Sequence, residues 1–138
     1  MTKTVITFGT FDLFHIGHLN LLRRAAQLGD RLIVGVSSDN LSYQKKAKFP
    51  IFNERARLKI LDSLKWVDAV FIEESLEKKE DYILDYDADI LVMGDDWQGK
   101  FDHFSNLSKI VYLPRTTGIS TSEILETIQG LHKESQLP

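Results

Sequence analysis

Apolar residues fall into short runs that alternate with amphipathic stretches. Thr4–Phe8 (TVITF) and Arg31–Ser37 (RLIVGVS) are nearly continuous apolar runs, the pattern of strands buried on both faces. Ala69–Ile72, Ile90–Met93 and Ile110–Leu113 repeat it. His18–Leu28 carries Leu19, Leu22, Ala25, Ala26 and Leu28 at roughly helical spacing, and Gly29 follows as a stop. Asn53–Leu64 places Leu58, Leu61 and Leu64 on one side of a helix, and Leu76–Tyr86 reads as a charged amphipathic helix. Ser120–Gln129 is the last helix predicted. Ser38–Phe52, with its lysine cluster and Pro50, reads as a loop, and Lys100–Leu107 fits neither period. The polar stretch after Gly130 (LHKESQLP) reads as a frayed tail. The expected organisation is one domain over residues 1–130 and a polar tail over 131–138.

Strands alternating with helices predict a single α/β domain: a Rossmann-like five-stranded parallel sheet with helices on both faces. In such sheets ligands bind beyond the carboxyl ends of the strands. The segments that follow strands, 9–18, 38–48, 94–99 and 114–122, are therefore where chemistry is expected, and the unusual residues do sit there.

Composition narrows the function classes. A chain of 138 residues is one domain's length, and 43% hydrophobic with 27% charged residues supports a packed core. A net charge of −3 argues against a nucleic-acid binder, which usually carries a basic field. The absence of cysteine excludes disulfides, thiolate nucleophiles and cysteine-ligated zinc. No apolar run approaches the ~20 residues that span a bilayer, and Asp12 comes too early for a signal-peptide core. The expectation is a cytoplasmic protein without membrane insertion.

The first strand runs into Gly9-Thr10-Phe11-Asp12-Leu13-Phe14-His15-Ile16-Gly17-His18 and then a helix. A glycine at a strand end lets backbone approach a ligand, and a helix start offers unpaired N–H groups to phosphate. His15 and His18 could donate hydrogen bonds to phosphoryl oxygens as charge builds. The same residues could instead be ordinary turn and cap residues. A zinc site would need a third ligand, and only Asp12 is near. The Walker and GxGxxG patterns are both absent from this turn.

After the fifth strand comes Pro114-Arg115-Thr116-Thr117-Gly118-Ile119-Ser120-Thr121-Ser122-Glu123. Ser120 with Glu123 is a capping box, which predicts a helix starting at Ser120, and Arg115 offers a rigid fork of donors for phosphate. After the fourth strand, Gly94-Asp95-Asp96-Trp97-Gln98-Gly99-Lys100 combines two acids and a tryptophan in one loop. That loop is either a turn anchored by Trp97 or a wall of a binding pocket. Lys45, Lys46 and Lys48 follow the second strand, either solvated or placed to neutralise a polyphosphate.

GTFDLFHIGH resembles the signature of the cytidylyltransferase branch of the HxGH nucleotidyltransferase superfamily. RTTGISTS resembles that branch's RTxGIST motif, and GDDWxGKFD resembles the loop of glycerol-3-phosphate cytidylyltransferases. The similarity runs from Val5 to about Ile128, with the three motifs in the family's order. The resemblance implies a nucleotidyltransferase that joins CTP and sn-glycerol 3-phosphate into CDP-glycerol and diphosphate, with Mg²⁺ on the triphosphate. It implies catalytic roles for His15, His18, Lys45 and Arg115. It also implies nucleotide contacts from those four residues and from Gly9, Thr10, Phe11, Ile16, Gly17, Lys46, Gly94, Asp95, Asp96, Trp97 and the Thr116, Thr117, Gly118, Ile119, Ser120, Thr121, Ser122 run. Lys79, Arg57 and Asp96 fall to the acceptor, and Asp12 to the metal or its waters. Family members are commonly homodimers, and the product would feed teichoic-acid or capsule-type polymers.

Leu76 stands where relatives carry tryptophan, which leaves another alcohol phosphate open as acceptor: phosphoethanolamine, phosphocholine or a polyol phosphate. An adenylyltransferase and a non-catalytic nucleotide sensor are the remaining alternatives.

Overall fold

The computed structural model describes residues 2–136. Five strands, β1 (Thr4–Gly9), β2 (Arg31–Ser37), β3 (Ala69–Glu73), β4 (Ile90–Gly94) and β5 (Lys109–Leu113), form one sheet in the order β3-β2-β1-β4-β5. Every pairing is parallel. The α/β expectation holds, and β1 lies at the centre, where the order reverses between β2 and β4. Such a switch point opens a crevice at the carboxyl ends of the strands.

Period-two alternation divides the core. Val5, Leu32, Val34, Val36 and Val92 face one side, where Leu22 and Ala25 of α1 (Ile16–Ala26) and Leu61 of α3 (Glu54–Asp62) pack. Ile6, Phe8, Ile33, Leu91 and Met93 face the other, against Ile83 of α4 (Lys79–Asp85) and Phe101. Both faces are covered, which explains why the strands read as continuous apolar runs.

Four elements differ from the pattern-based expectation. Helix α1 begins at Ile16 rather than His18, because His15 caps it. Most of the expected 38–52 loop is a helix, α2 (Asp39–Lys46). Ser38 caps it by accepting from the Leu41 N–H, Asp39 favours its first turn, and Leu41 is its one large buried apolar anchor, too little to make a stripe. Residues 76–78 form a single tight turn before α4, and two similar turns fill 95–97 and 102–104. The last helix, α5, spans Thr121–Ser135 and so passes straight through Gly130. A lone glycine in a helix costs only about 1 kcal/mol relative to alanine. The residues expected as a tail are therefore helical as far as Ser135, while Leu137 and Pro138 lie outside the described residues.

Candidate nucleotide site at the strand ends

The turn after β1 sets the histidines. Phe11 and Leu13 hold left-handed backbone, with φ of 55° and 50°. A non-glycine residue there costs roughly 1–2 kcal/mol, so packing must enforce it. Phe11 is buried, and its ring meets the His18 ring edge-on at 5.4 Å. A β-carbon on Gly9 would come within 2.9 Å of the Phe11 ring, so only glycine fits at the end of β1.

His15 accepts the Gly17 N–H at Nδ1 (3.0 Å), and His18 accepts the His15 N–H at Nδ1 (3.3 Å). The two imidazoles stack with centroids 3.7 Å apart. Because each Nδ1 is an acceptor, each neutral ring must carry its proton on Nε2. Neither Nε2 has a hydrogen-bond partner among the described residues, and both rings line the same cleft. Burial, followed by the charges of His15, Lys46 and Arg115, lowers the His18 pKa to about 3. Burial and Arg115 lower that of His15 as well. At neutral pH both rings are thus uncharged N–H donors. Gly17 matters for the same reason, since a β-carbon there would meet the His15 ring at 2.8 Å.

The cleft measures ≈ 580 Å³, enough for a nucleotide. Its opposite wall is the segment before α5. Ser120 caps that helix by accepting from the Glu123 N–H, as its capping-box spacing predicts. Thr121 donates to the Asp12 carbonyl (2.8 Å), and Asn20 donates to the Thr116 hydroxyl (3.1 Å), which ties the last motif to the first. Arg115 lines the cleft and has no carboxylate partner among the described residues. Two helix N-termini therefore face one space, a ready arrangement for anion binding.

The floor of the cleft toward β3 is ionic. Lys79 pairs with Glu73 at 2.7 Å, and both are almost wholly buried. The Lys79 ammonium sits 3.6 Å from the centroid of the Phe8 ring. Lys45 donates to the Ser37 hydroxyl (2.8 Å), which donates in turn to Glu73 (3.2 Å). Burial lowers the Lys45 pKa to about 8, against the raising effect of Glu73. Burial also lowers that of Lys79. Lys45, Lys46, Lys48, Lys79 and Arg115 on the lining outnumber Asp12, Glu73 and Asp96, so the cleft is positive in a chain of net charge −3.

A family model described as cytidylyltransferase-like matches residues 6–127, which takes in the histidine turn, the lysine floor and the start of α5. The chain belongs to the cytidylyltransferase-like family. It is 50% identical to the glycerol-3-phosphate cytidylyltransferase of Bacillus subtilis (strain 168), over 94% of this chain and 99% of that one. Identity to the protein of the same name from Staphylococcus aureus (strain NCTC 8325 / PS 47) is 44%, over 93% and 96%. Among solved structures, a lipopolysaccharide core biosynthesis protein from Thermoplasma volcanium GSS1 matches with a TM-score of 0.72. That match has 28% identity over 84% of this chain and 99% of that chain.

Within this cytidylyltransferase-like chain, most residues singled out from the sequence converge on the cleft. Gly9, Thr10, Phe11, His15, Gly17, His18, Lys45, Lys46, Lys79, Gly94, Asp96, Trp97, Arg115, Thr116, Ile119, Ser120, Thr121 and Ser122 all line it. Ile16, Asp95, Thr117 and Gly118 are absent from the lining. Ile16 points outward at 51% exposure, and Gly118 supplies a left-handed turn (φ 83°).

Arg57 is the clearest correction to the expected acceptor contacts. It is fully buried, donating to the carbonyls of Phe52, Thr10 and Ser37 and pairing with Asp39 at 2.7 Å. Four of its N–H bonds are spent inside the protein, tying α3 to the ends of β1 and β2.

Asp12 is also redirected. Its two oxygens accept the Ile51 and Phe52 N–H groups, at 2.7 and 2.9 Å. It pins the segment before α3 against the first turn. Among the described residues, no group of three or more His, Asp or Glu side chains is placed to hold a metal ion.

Glu73, which lines the cleft, and Ser37, which hydrogen-bonds it from behind, are charged and polar residues that sequence reasoning missed. Each ends a strand, and the β2–β3 register sets them side by side. The signal was available: a glutamate closing an apolar strand at the ligand-binding edge of the sheet.

Proposed function

We propose that this protein is a glycerol-3-phosphate cytidylyltransferase, converting CTP and sn-glycerol 3-phosphate into CDP-glycerol and diphosphate. The observation that carries the reading is two stacked imidazoles with free Nε2–H groups, facing Arg115 and a second helix start across one cleft. The near-full-length likeness to two proteins named for this activity supports the nucleotide and the acceptor.

The chemistry asks little of acid–base groups. A phosphate monoester has its second pKa near 6, so the acceptor arrives mostly as a dianion at pH 7. One of its oxygens attacks the α-phosphorus. The new P–O bond forms as the bond from the α-phosphorus to the bridging oxygen breaks, and diphosphate leaves with that oxygen. The protein must bring two anions together and stabilise charge at the α-phosphate. His15 and His18 donate to the α-phosphoryl oxygens from Nε2, Arg115 and the α5 start hold the departing diphosphate, and Lys45 and Lys79 receive the acceptor phosphate. Among the described residues, no group of three or more His, Asp or Glu side chains forms a metal cage. Mg²⁺ enters this reading only as the ion a nucleotide triphosphate carries, and no step runs through it.

The same reading takes the protein as a cytoplasmic homodimer. Ile128 and Leu131 on α5 are 55% and 60% exposed, which supports a covered apolar face, and no described helix is long and apolar enough to cross a membrane.

The deciding assay measures diphosphate release with each of the four nucleoside triphosphates against glycerol 3-phosphate, phosphoethanolamine, phosphocholine and a polyol phosphate. Turnover with CTP and glycerol 3-phosphate is expected. Preference for ATP, or for another acceptor, overturns the assignment.

A further inference from the structure

The ionic floor of the cleft contains a carboxylate that the reaction above does not use. Glu73 is 1% exposed, at the end of β3, and sits between two ammonium groups. One oxygen accepts from Lys79 at 2.7 Å. The other accepts from the Ser37 hydroxyl at 3.2 Å, and that hydroxyl accepts from Lys45 at 2.8 Å. The four groups come from β2, α2, β3 and α4, so no local sequence preference explains their meeting. Among the described residues, no buried side-chain nitrogen or oxygen lacks a partner. Each ammonium keeps N–H donors beyond the one bond it makes here, and the group carries two positive charges against one negative.

We propose that Glu73 is a positioning residue for the acceptor end of the cleft. Its carboxylate fixes the Lys79 ammonium directly and the Lys45 ammonium through the Ser37 hydroxyl, so that both stay charged and facing an incoming phosphate monoester. This rests on the functional reading above and adds to it the device that keeps two buried lysines cationic.

The energetic logic follows from burial. An ammonium taken out of water tends to lose its proton unless an opposite charge stands near. The charged groups around Lys45 are Glu73 from β3, Lys79 from α4, Lys46 from α2 and Arg57 from α3. Glu73 alone among them attracts. The phosphate dianion, once bound, takes over part of that attraction. The excess positive charge is then what draws it in.

The experiment uses the full chain and compares wild type with Glu73→Gln, Glu73→Asp and Ser37→Ala. It reads kcat/KM for glycerol 3-phosphate against pH, KM for CTP, binding of glycerol 3-phosphate by calorimetry, and thermal unfolding. Removing the charge in Glu73→Gln moves the alkaline limb of kcat/KM down by about one pH unit or more. KM for the acceptor rises about tenfold or more, a loss of roughly 1.4 kcal/mol, while KM for CTP stays nearly constant. Glu73→Asp restores the charge and moves the limb back toward wild type.

Ser37→Ala removes both bonds of the relay, to Glu73 and to Lys45, keeps every charge and the direct Glu73–Lys79 pair, and raises acceptor KM by a smaller factor. A folded Glu73→Gln with an unchanged pH profile and unchanged acceptor KM overturns the proposal. If that variant does not fold, an unchanged acceptor KM and profile in Ser37→Ala overturns it instead. Wild-type protein that turns over no substrate pair defeats the functional reading. The calorimetric arm still decides Glu73: equal acceptor affinity in wild type and folded Glu73→Gln rejects its role.

Discussion

The two ends of the cleft solve the same problem in opposite ways. At the histidine end the backbone does the work. Two amide N–H groups occupy the Nδ1 atoms, the rings stay neutral, and what faces the cleft is a pair of fixed donors without charge. At the lysine end charge does the work. Ammonium groups are kept in a buried setting by a carboxylate partner, and what faces the cleft is a net positive field. Neutral donors suit a site where charge grows during the reaction, since they stabilise the transition state more than the ground state. A positive field suits a site that must collect a dianion before any bond changes.

Arg57 draws the boundary of this comparison, because it is a cation that serves neither end. Arg57→Ala leaves Asp39 without its partner and three backbone carbonyls without a donor. A loss of about 3–5 kcal/mol in unfolding free energy is expected by denaturant titration. A loss below about 1 kcal/mol, with a large rise in acceptor KM, would return Arg57 to the ligand site.

His18→Ala breaks the neutral-donor end. Turnover should fall by about 10²–10³. The stability cost should be only about 1 kcal/mol, that of a lost helix-end hydrogen bond. Near-normal kcat would remove His18 from the reaction.

Gly17→Ala sharpens the same point without removing a donor. The added methyl group presses on the His15 ring, which must shift. A rate loss of up to about 10²-fold is expected. Stability should stay within about 1 kcal/mol, since alanine is the better helix former. Unchanged turnover would mean that the exact place of the His15 ring is unimportant.

A further effect concerns pH. The folded protein holds His18 at a pKa of about 3 against an ordinary 6.5, so the folded state resists binding its proton. Stability from this source is complete above pH 6.5 and is lost as pH falls toward about 3. The stability advantage of wild type over His18→Ala should therefore shrink and then reverse over that window in parallel thermal melts. A wild-type advantage that grows on acidification would contradict a neutral His18.

The sequence was legible where local pattern and tertiary demand coincide. Buried strands such as TVITF and RLIVGVS need apolar side chains on both faces, and they show them. The cap at Ser120 needs only four residues to announce itself, although the Glu123 side chain does not return a bond to the Ser120 N–H among the described residues. The histidine turn was legible as an unusual segment with two readings, phosphate donors or cap residues, and His15 does cap the helix although imidazole is not among the usual cap side chains. Helix α2 was hidden because it has a single large buried apolar side chain, Leu41. Arg57 and Glu73 show the deeper limit. Both look like surface charges in the linear chain, and only the packing of separate elements reveals that one is structural and the other lies under the cleft. The segment after β3 follows a strand end, as the other site segments do, yet it carries no glycine and no histidine to mark it.

The central claim is that His15 and His18 meet the nucleotide as neutral rings with protons on Nε2. Nitrogen-15 NMR of the imidazoles at pH 7, with and without CTP, tests it directly. The account predicts the Nε2–H tautomer for both rings in the free protein, and Nε2 resonances that move on CTP binding. A free protein whose rings carry their protons on Nδ1, or whose Nε2 signals ignore CTP, would contradict it.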